Sequence, residues 1–306
     1  MPGRVFVTGG SGFVGTNVID ELLGRGYGVT ALAHKRELRA GRVRTVKGDV
    51  FDAKALDEGI SGCDAVIHLV GIIFENKSKA VTFQRMHFEG TRSVVDATQR
   101  NGVRRYVHMS ALGARSNAVS DYHRTKYTAE EYIRSSGLDW TIFRPSMIHG
   151  PGGELMQMEA DWARGRKSPF LFMPYFGAGP MGRGGAGMIQ PVYVMDVARA
   201  FVDALNKPET AGEVYPLGGP DRMTWPEMHR AVAEAVAGKK RWVMPVPAWY
   251  ARALTRVVPG SMLPFNRDQV IMSQEDNTCA LAKFKGDFGW EPQPFRAALQ
   301  EYRRQL

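Results

Sequence analysis

The segment Thr8-Gly9-Gly10-Ser11-Gly12-Phe13-Val14-Gly15 constrains this chain more than any other. It follows the β-branched run at 4–8 and leads straight into an amphipathic stretch at 13–25. Three glycines spaced three apart between a strand and a helix meet three physical needs. The first permits the tight turn, the second lets a pyrophosphate approach the backbone, and the third lets helix and strand pack closely. The helix N-terminus then presents free N–H groups and a partial positive charge to the phosphates. Residues Thr8 through Gly15 are therefore expected to cradle a dinucleotide.

The first half alternates β-branched runs with amphipathic stretches, the pattern of a parallel sheet with crossover helices. Strands are expected at 4–8, 28–33, 42–47, 64–70, 104–110 and 139–144, with helices at 13–25, 53–60, 81–100 and 122–136. The run Ala65-Val66-Ile67-His68-Leu69-Val70 lacks strict alternation, as expected of a strand covered on both faces. Regularity fails over 151–189, which holds Phe170-Leu171-Phe172-Met173-Pro174-Tyr175-Phe176 and then six glycines from Gly177 to Gly187. A long glycine-rich loop in a compact protein is functional or disordered. Regular signals resume at 192–205 and 213–217. The expected fold is a doubly wound α/β sheet with a smaller, mostly helical C-terminal lobe. Residues 1–150 form the nucleotide-binding domain and 151–306 the substrate lobe, with parts of 190–220 returning to the first domain.

Composition narrows the function. Cys63 and Cys279 are the two cysteines; they make neither a disulfide framework nor a metal cluster. The histidines lack metal spacing, and no Gly-x-Ser-x-Gly elbow marks a hydrolase. No apolar run approaches the roughly 18 residues that span a bilayer. The N-terminus enters a strand pattern at once, so no leader peptide is expected. A cytoplasmic setting fits, with a peripheral place at the inner membrane as the variant. The formal charge of +9 raises nucleic acid as a partner, but no aromatic-interleaved basic stripe supports it.

The end of the second strand bears on NAD against NADP. An acid there grips the ribose 2′-hydroxyl, whereas cations accommodate a 2′-phosphate. After Ala33 the chain offers His34-Lys35-Arg36 and no acid. NADP(H) is thus expected ahead of NAD(H), the other reading being a solvated basic turn. Asp49 and Val50 follow the third strand within reach of an adenine. Leu69-Val70-Gly71 ends the fourth where the chain passes the cofactor.

These residues resemble the short-chain dehydrogenase/reductase superfamily, in its extended and atypical branches. Thr8–Gly15 has that superfamily's glycine spacing, and Tyr122-His123-Arg124-Thr125-Lys126 matches its Tyr-x-x-x-Lys motif. Arg144-Pro145-Ser146-Met147-Ile148-His149-Gly150-Pro151 looks like the extended branch's Arg-Pro-x(4)-Gly-Pro. Pro191-Val192-Tyr193-Val194-Met195-Asp196-Val197-Ala198 resembles its later Val-x-Asp-Val-Ala segment. Met109-Ser110-Ala111-Leu112-Gly113-Ala114 and Leu138-Asp139-Trp140-Thr141-Ile142-Phe143-Arg144-Pro145 carry a nearer likeness. It is to the atypical group that includes the Rossmann-type accessory subunit of respiratory complex I and its bacterial relatives. The likeness covers nearly the whole chain and weakens after about Lys239.

The resemblance implies a Rossmann fold and an NAD(P)-dependent oxidoreductase site. Tyr122 is the expected acid/base, and Lys126 holds the nicotinamide ribose and lowers the phenol's pKa. Ser110 is the candidate carbonyl donor, or else a strand-end hydroxyl bonded to backbone. The family's relay asparagine is replaced by His87, which either holds a water or is simply packed. His87, Met109, Arg144, Pro145, Ser146 and Met147 complete the expected cofactor site. Three functions stay open. The first is carbonyl/alcohol redox chemistry on a small molecule or quinone. The second is a nucleotide-holding accessory, assembly or redox-sensing protein linked to complex I or quinone metabolism. The third is sugar-nucleotide epimerase or dehydratase chemistry. The amphipathic stretch at 249–258, with Arg252 and Arg256 on one face, reads as a lid over the substrate cleft in preference to a docking helix for a protein or membrane across 241–265.

Overall fold

The apolar runs of the first half become strands and the amphipathic stretches between them helices. A computed structural model describes residues 3–34, 42–185, 187–258 and 263–306. The chain opens with β1 (Arg4–Thr8), α1 (Phe13–Gly24), β2 (Gly28–Ala33), β3 (Val43–Lys47), α2 (Ala53–Ile60) and β4 (Ala65–His68). Next come α3 (Gly90–Arg100), β5 (Arg105–Met109), α4 (Asp121–Arg134), β6 (Asp139–Pro145), β7 (Ile148–His149) and α5 (Glu154–Arg164). β8 (Phe172–Gly177), β9 (Met188–Ile189), β10 (Val192–Tyr193), α6 (Val194–Leu205), β11 (Glu213–Leu217) and β12 (Met223–Thr224) follow. The last elements are α7 (Trp225–Ala237), β13 (Trp242–Pro247), α8 (Ala248–Val257), α9 (Arg267–Met272), α10 (Ala282–Phe288) and α11 (Phe295–Tyr302).

Two compact units result. The first comprises residues 1–145, 194–217 and 281–290, and the second 146–193, 218–280 and 291–306. In the first unit seven parallel strands lie in the order β3-β2-β1-β4-β5-β6-β11. That is the doubly wound arrangement, whose order reverses between β1 and β4. Phe6, Val66, Tyr106 and Ile142 pack with Leu56 of α2, Val94 and Val95 of α3 and Ile133 of α4. Alternate residues face the other way, and there Phe143 meets Phe201 of α6 with ring centroids 4.7 Å apart. Burial on both faces is why these strands read as unbroken apolar runs.

Residues 281–290 join the first unit through contacts that sequence reading did not foresee. The Trp290 indole donates to Asp203 at 2.7 Å, and the same carboxylate takes a 2.5 Å hydrogen bond from Arg25, which caps the end of α1. Tyr215 of β11 donates to Asp287 at 2.7 Å and meets the Phe288 ring edge-on at 5.1 Å. A second difference lies at 81–100, expected as one helix. Residues Gln84–Glu89 instead form a π-helical turn that passes into α3.

The second unit contains α5, α7, α8, α9 and α11 with three two-stranded sheets. The stretch 151–189, read as irregular, holds α5 and β8. Gly165, at φ +73°, ends α5, and β8 pairs in parallel with β13. Pro174, Pro245 and Pro247 lie in this pair; a two-stranded sheet has open edges, where proline's missing N–H costs little. α7 starts with a capping box between Thr224 and Glu227. The stretch 249–258, expected as an amphipathic lid, forms α8. α8 packs through Ala248 and Ala251 against Val270 and Phe265, while Trp249, Tyr250 and Val257 stay exposed. Small side chains let the helix sit down on that side, which leaves its bulky face outward.

Gly59 shows how tightly the α2 layer is set. A Cβ there would lie 2.3 Å from the Phe6 ring. Gly59→Ala is expected to lower the unfolding free energy by about 1–3 kcal/mol through overpacking. Gly24, with nothing within 4 Å of its would-be Cβ, should gain a few tenths of a kcal/mol as Ala, roughly as helix propensity directs. Urea unfolding of the two variants beside the parent checks both.

Candidate functional site

The glycine loop is built as its sequence requires. Gly9 has φ +75°, and a Cβ on it would lie 3.0 Å from the Leu69 carbonyl carbon. The Gly12 amide donates to the Gly9 carbonyl at 3.0 Å and closes the turn. Gly15 tolerates nothing larger, since a Cβ would fall 2.1 Å from that carbonyl oxygen and 2.7 Å from the Gly10 Cα. Gly12 heads α1 with no side-chain cap, and the first turn carries no acid. A cradle that a Cβ would fill, facing the positive end of a helix, fits a pyrophosphate. Ser11 and Phe13 are half-buried beside it and Val14 is in the core. Thr8, expected at the cofactor, instead shares a 2.6 Å hydrogen bond with His68 and is fully buried.

At the end of β2, Ala33 is buried and His34 exposed. The His34 Nδ1 lies 3.7 Å from the Asp49 carboxylate, which also accepts the Phe51 amide at 2.8 Å. Lys35 and Arg36 lie outside the described residues. Val50, expected near an adenine, has its side chain in the core against α2 and α3. Leu69 is buried beneath Gly9, with Val70 half-buried beside it. A Cβ on Gly71 would come within 3.1 Å of the Lys126 Nζ and 3.7 Å of the His87 Nε2.

Tyr122, Lys126 and Glu130 recur every four residues and so share one face of α4. Lys126 is 2% exposed, and its ammonium donates to the Met109 carbonyl at 2.9 Å. Burial pulls that ammonium down to about 8, against partial support from Glu130. The Tyr122 ring meets Phe83, His87 and His123 edge-on, with centroids 5.7, 5.1 and 5.4 Å away. Its phenol was expected to be lowered by Lys126; burial pushes it up instead, to about 12.

Two expected roles are redirected by Glu130, which is fully buried. Its carboxylate accepts from Ser110 Oγ at 2.5 Å, from Arg144 Nε and Nη2 at 2.8 and 2.6 Å, and from Arg134 at 3.0 Å. Ser110 has one proton and gives it to Glu130, so in this arrangement it has none for a substrate carbonyl. Arg144 is spent on a bidentate pair and does not extend toward a cofactor. Pro145 ends β6, its carbonyl accepting the Leu112 amide at 2.9 Å. Ser146 and Met147 belong to the second unit. There the Ser146 hydroxyl donates to the Gln190 carbonyl, and the Met147 amide donates to Asn277 at 3.2 Å.

His87 sits in the π-helical turn and is 1% exposed. Thr125 donates its hydroxyl proton to the Asp121 carbonyl at 2.9 Å and lies 3.0 Å from His87 Nδ1. The ring's Nδ1 thus faces Thr125, and its Nε2 faces the Ile72 backbone, 3.2 Å from the amide and 3.1 Å from the carbonyl. Burial and then the nearby Lys126 charge hold the ring's pKa well below its usual value. His87 is thus a neutral clamp between the segment after β4 and α4. His68 was missed by the sequence reading. It bridges Thr8 and Thr91 (3.0 Å to the latter), and its ring stacks on His108 at 5.3 Å. The signal was a polar residue at the ends of adjacent strands, since Thr8, His68 and His108 pair in register. Among the described residues no group of His, Cys, Asp or Glu could hold a metal ion.

Two outcomes follow from this geometry. Gly12→Val should keep the fold, because its would-be Cβ meets only the Gly9 oxygen, at 3.2 Å, yet calorimetry should detect no nucleotide binding. Lys126→Met should alter the pH dependence of stability. The folded pKa, about 8, lies below the ordinary 10.5, so the folded state holds fewer protons in that window and stability rises with pH across it. The parent should therefore gain on the order of 3 kcal/mol over the Met variant between pH 8 and 10.5, read from denaturant unfolding along a pH series.

A family model described as NAD(P)H-binding matches residues 9–161. The chain is 28% identical over 270 residues to the mitochondrial NADH dehydrogenase (ubiquinone) 1 alpha subcomplex subunit 9 of Arabidopsis thaliana. That match covers 85% of this chain and 64% of the relative, so the chain spans a little under two thirds of its length. A 3 beta-hydroxysteroid dehydrogenase/Delta 5-->4-isomerase of Mycobacterium tuberculosis is 28% identical over 337 residues, covering 95% of this chain and 86% of that one. A solved dTDP-glucose 4,6-dehydratase from Streptomyces venezuelae, with NAD bound, superposes with a TM-score of 0.77 over 99% of this chain and 96% of that one. At 22% identity it bears on the fold alone. With the glycine cradle and the Tyr-x-x-x-Lys face in place, the chain belongs to the NAD(P)H-binding family, among the atypical short-chain dehydrogenase/reductases.

Proposed function

We propose that this protein binds NADP(H) in preference to NAD(H) and slowly reduces a carbonyl substrate at Tyr122. The observation that carries the reading is the shared face of Tyr122 and Lys126 on α4, with Lys126 buried and tied to the end of β5. A bound NADPH supplies the hydride that a carbonyl carbon takes up. Tyr122 supplies the proton for the oxygen. A phenol held near 12 stays protonated at neutral pH, which suits donation to a developing alkoxide better than removal of a proton from an alcohol. The commitment of Ser110 to Glu130 removes the second donor at the carbonyl and makes the reaction slow.

The NADP(H) preference rests on Lys35 and Arg36 and on the missing acid after β2. His34 adds little, because it faces Asp49 at an exposed site. A second reading is favoured by the Ser110–Glu130 bond: the nucleotide is held as a structural or sensing element and the protein acts through partners. The likeness to a complex I subunit gives that reading a respiratory direction. Likeness to sugar-nucleotide enzymes is one of fold and adds no substrate.

Titration should show tighter binding of NADPH than NADH, with a gap that narrows at high salt and closes in Lys35→Glu with Arg36→Glu. Equal affinities in the parent would remove the 2′-phosphate assignment. NADPH oxidation against a panel of ketones, quinones and sugar nucleotides should be slow but measurable. Tyr122→Phe should lower it about 100-fold or more at nearly unchanged NADPH affinity. A parent inactive across the panel would leave the partner-dependent reading.

A further inference from the structure

The charge of +9 is concentrated in two segments. Residues 164–184 and 239–257 hold nine of the 40 Lys and Arg and no Asp or Glu. The remaining 31 Lys and Arg are matched by 31 acids, so these segments carry the whole net charge. Both belong to the second unit, and the structure brings them together. β8 and β13 pair in parallel with Phe172 beside Trp242 and Phe176 beside Val246. The Trp249 indole donates to the Pro180 carbonyl at 3.0 Å, and Arg241 donates to the Phe170 carbonyl.

The same segments expose apolar surface. Of the twelve large hydrophobic side chains exposed among the described residues, eight lie here. Leu171, Trp242 and Val257 are 76%, 75% and 83% exposed, and Trp249 is 59% exposed. Single exposed apolar groups are ordinary, but a run of them joined by strand pairing and hydrogen bonds marks an interaction surface. Arg252 and Arg256 stand exposed on α8 beside Trp249 and Val257, and Lys239 and Lys240 stand exposed just before β13.

We propose that the second unit docks on an anionic lipid bilayer through this face. Tryptophan and tyrosine favour the headgroup boundary, aliphatic tips enter the acyl edge, and the cations meet lipid phosphates. Charge decides between this and other occupants. A second copy would bring nine cations against nine across a shared interface, which repels. A nucleic acid could stack on the rings of Phe170, Trp242, Trp249 and Tyr250, but it would leave Leu171, Met181, Met244 and Val257 without a partner. An anionic bilayer matches both the sign and the aliphatic content.

Co-sedimentation with phosphatidylcholine vesicles, with and without phosphatidylglycerol, tests it. The full chain should sediment only with the anionic vesicles and be released by salt. Each basic side chain near such a surface is worth roughly a factor of five in partition. Arg252→Glu with Arg256→Glu should therefore weaken binding by at least about 25-fold. Leu171→Ser with Trp242→Ser should weaken it too, and both pairs should leave melting temperature and nucleotide affinity unchanged. Tryptophan quenching by brominated-chain lipid is expected in the parent and needs no variant. Absence of anionic-lipid binding or of quenching would overturn the proposal. So would binding that survives both pairs, or an oligonucleotide complex or dimer formed where vesicles are ignored.

Discussion

A buried carboxylate holds the working face of this protein together. Glu130 is fully enclosed and takes hydrogen bonds from Ser110 at the end of β5, Arg144 on β6 and Arg134 on its own helix. A charge in that position is tolerated only when paired and saturated with donors. The pairing therefore fixes more than an ion: it sets the rotation of α4 about its own axis. Lys126 and Tyr122 lie on the same face, one and two turns toward the helix start. Their direction is decided by where Glu130 can find its partners.

The rest of the site spends stability to stay in place. Lys126 carries its charge where water is excluded, and its ammonium is held by a carbonyl and the more distant Glu130. His87 and His68 are buried and neutral, the latter held at about 3 by burial and then by the Lys126 charge. A lysine ringed by imidazoles that cannot share its charge is costly to fold around and gives no packing advantage. Such an arrangement is the usual mark of a functional position. In this chain it coincides with the Tyr-x-x-x-Lys spacing.

Most of the first unit was legible because its signals are local. The strands sit between helices on both faces, so their runs stay apolar, and the glycine loop is specified by residues within eight positions of one another. What stayed hidden depends on distant partners. The family pattern points Ser110 and Arg144 toward substrate and cofactor, whereas the acid that claims both lies on another element and carries no local signal. Residues 281–290 join the sheet unit through Trp290 and Asp287, a link no periodicity announces. β8 was overlooked because its proline and the glycines after it suit an open-edged pair but resemble a loop. α8 misled for the opposite reason: its bulky pattern suggested the buried side, while two alanines do the packing.

The π-helical turn at Gln84–Glu89 has a consequence for how such a chain can change. A helix advances about 100° per residue, so one added residue would ordinarily swing everything after it around the axis. Val94 and Val95 would then leave the sheet. A wide turn takes up the extra residue within itself, and α3 keeps its phase. Loss of one residue at this place would therefore spare the packing of α3 on the sheet. It would redirect only Phe83 through His87, the very rings that touch Tyr122. The phenol's surroundings can thus be rewritten by a single codon's length while the scaffold beneath them stays as it is.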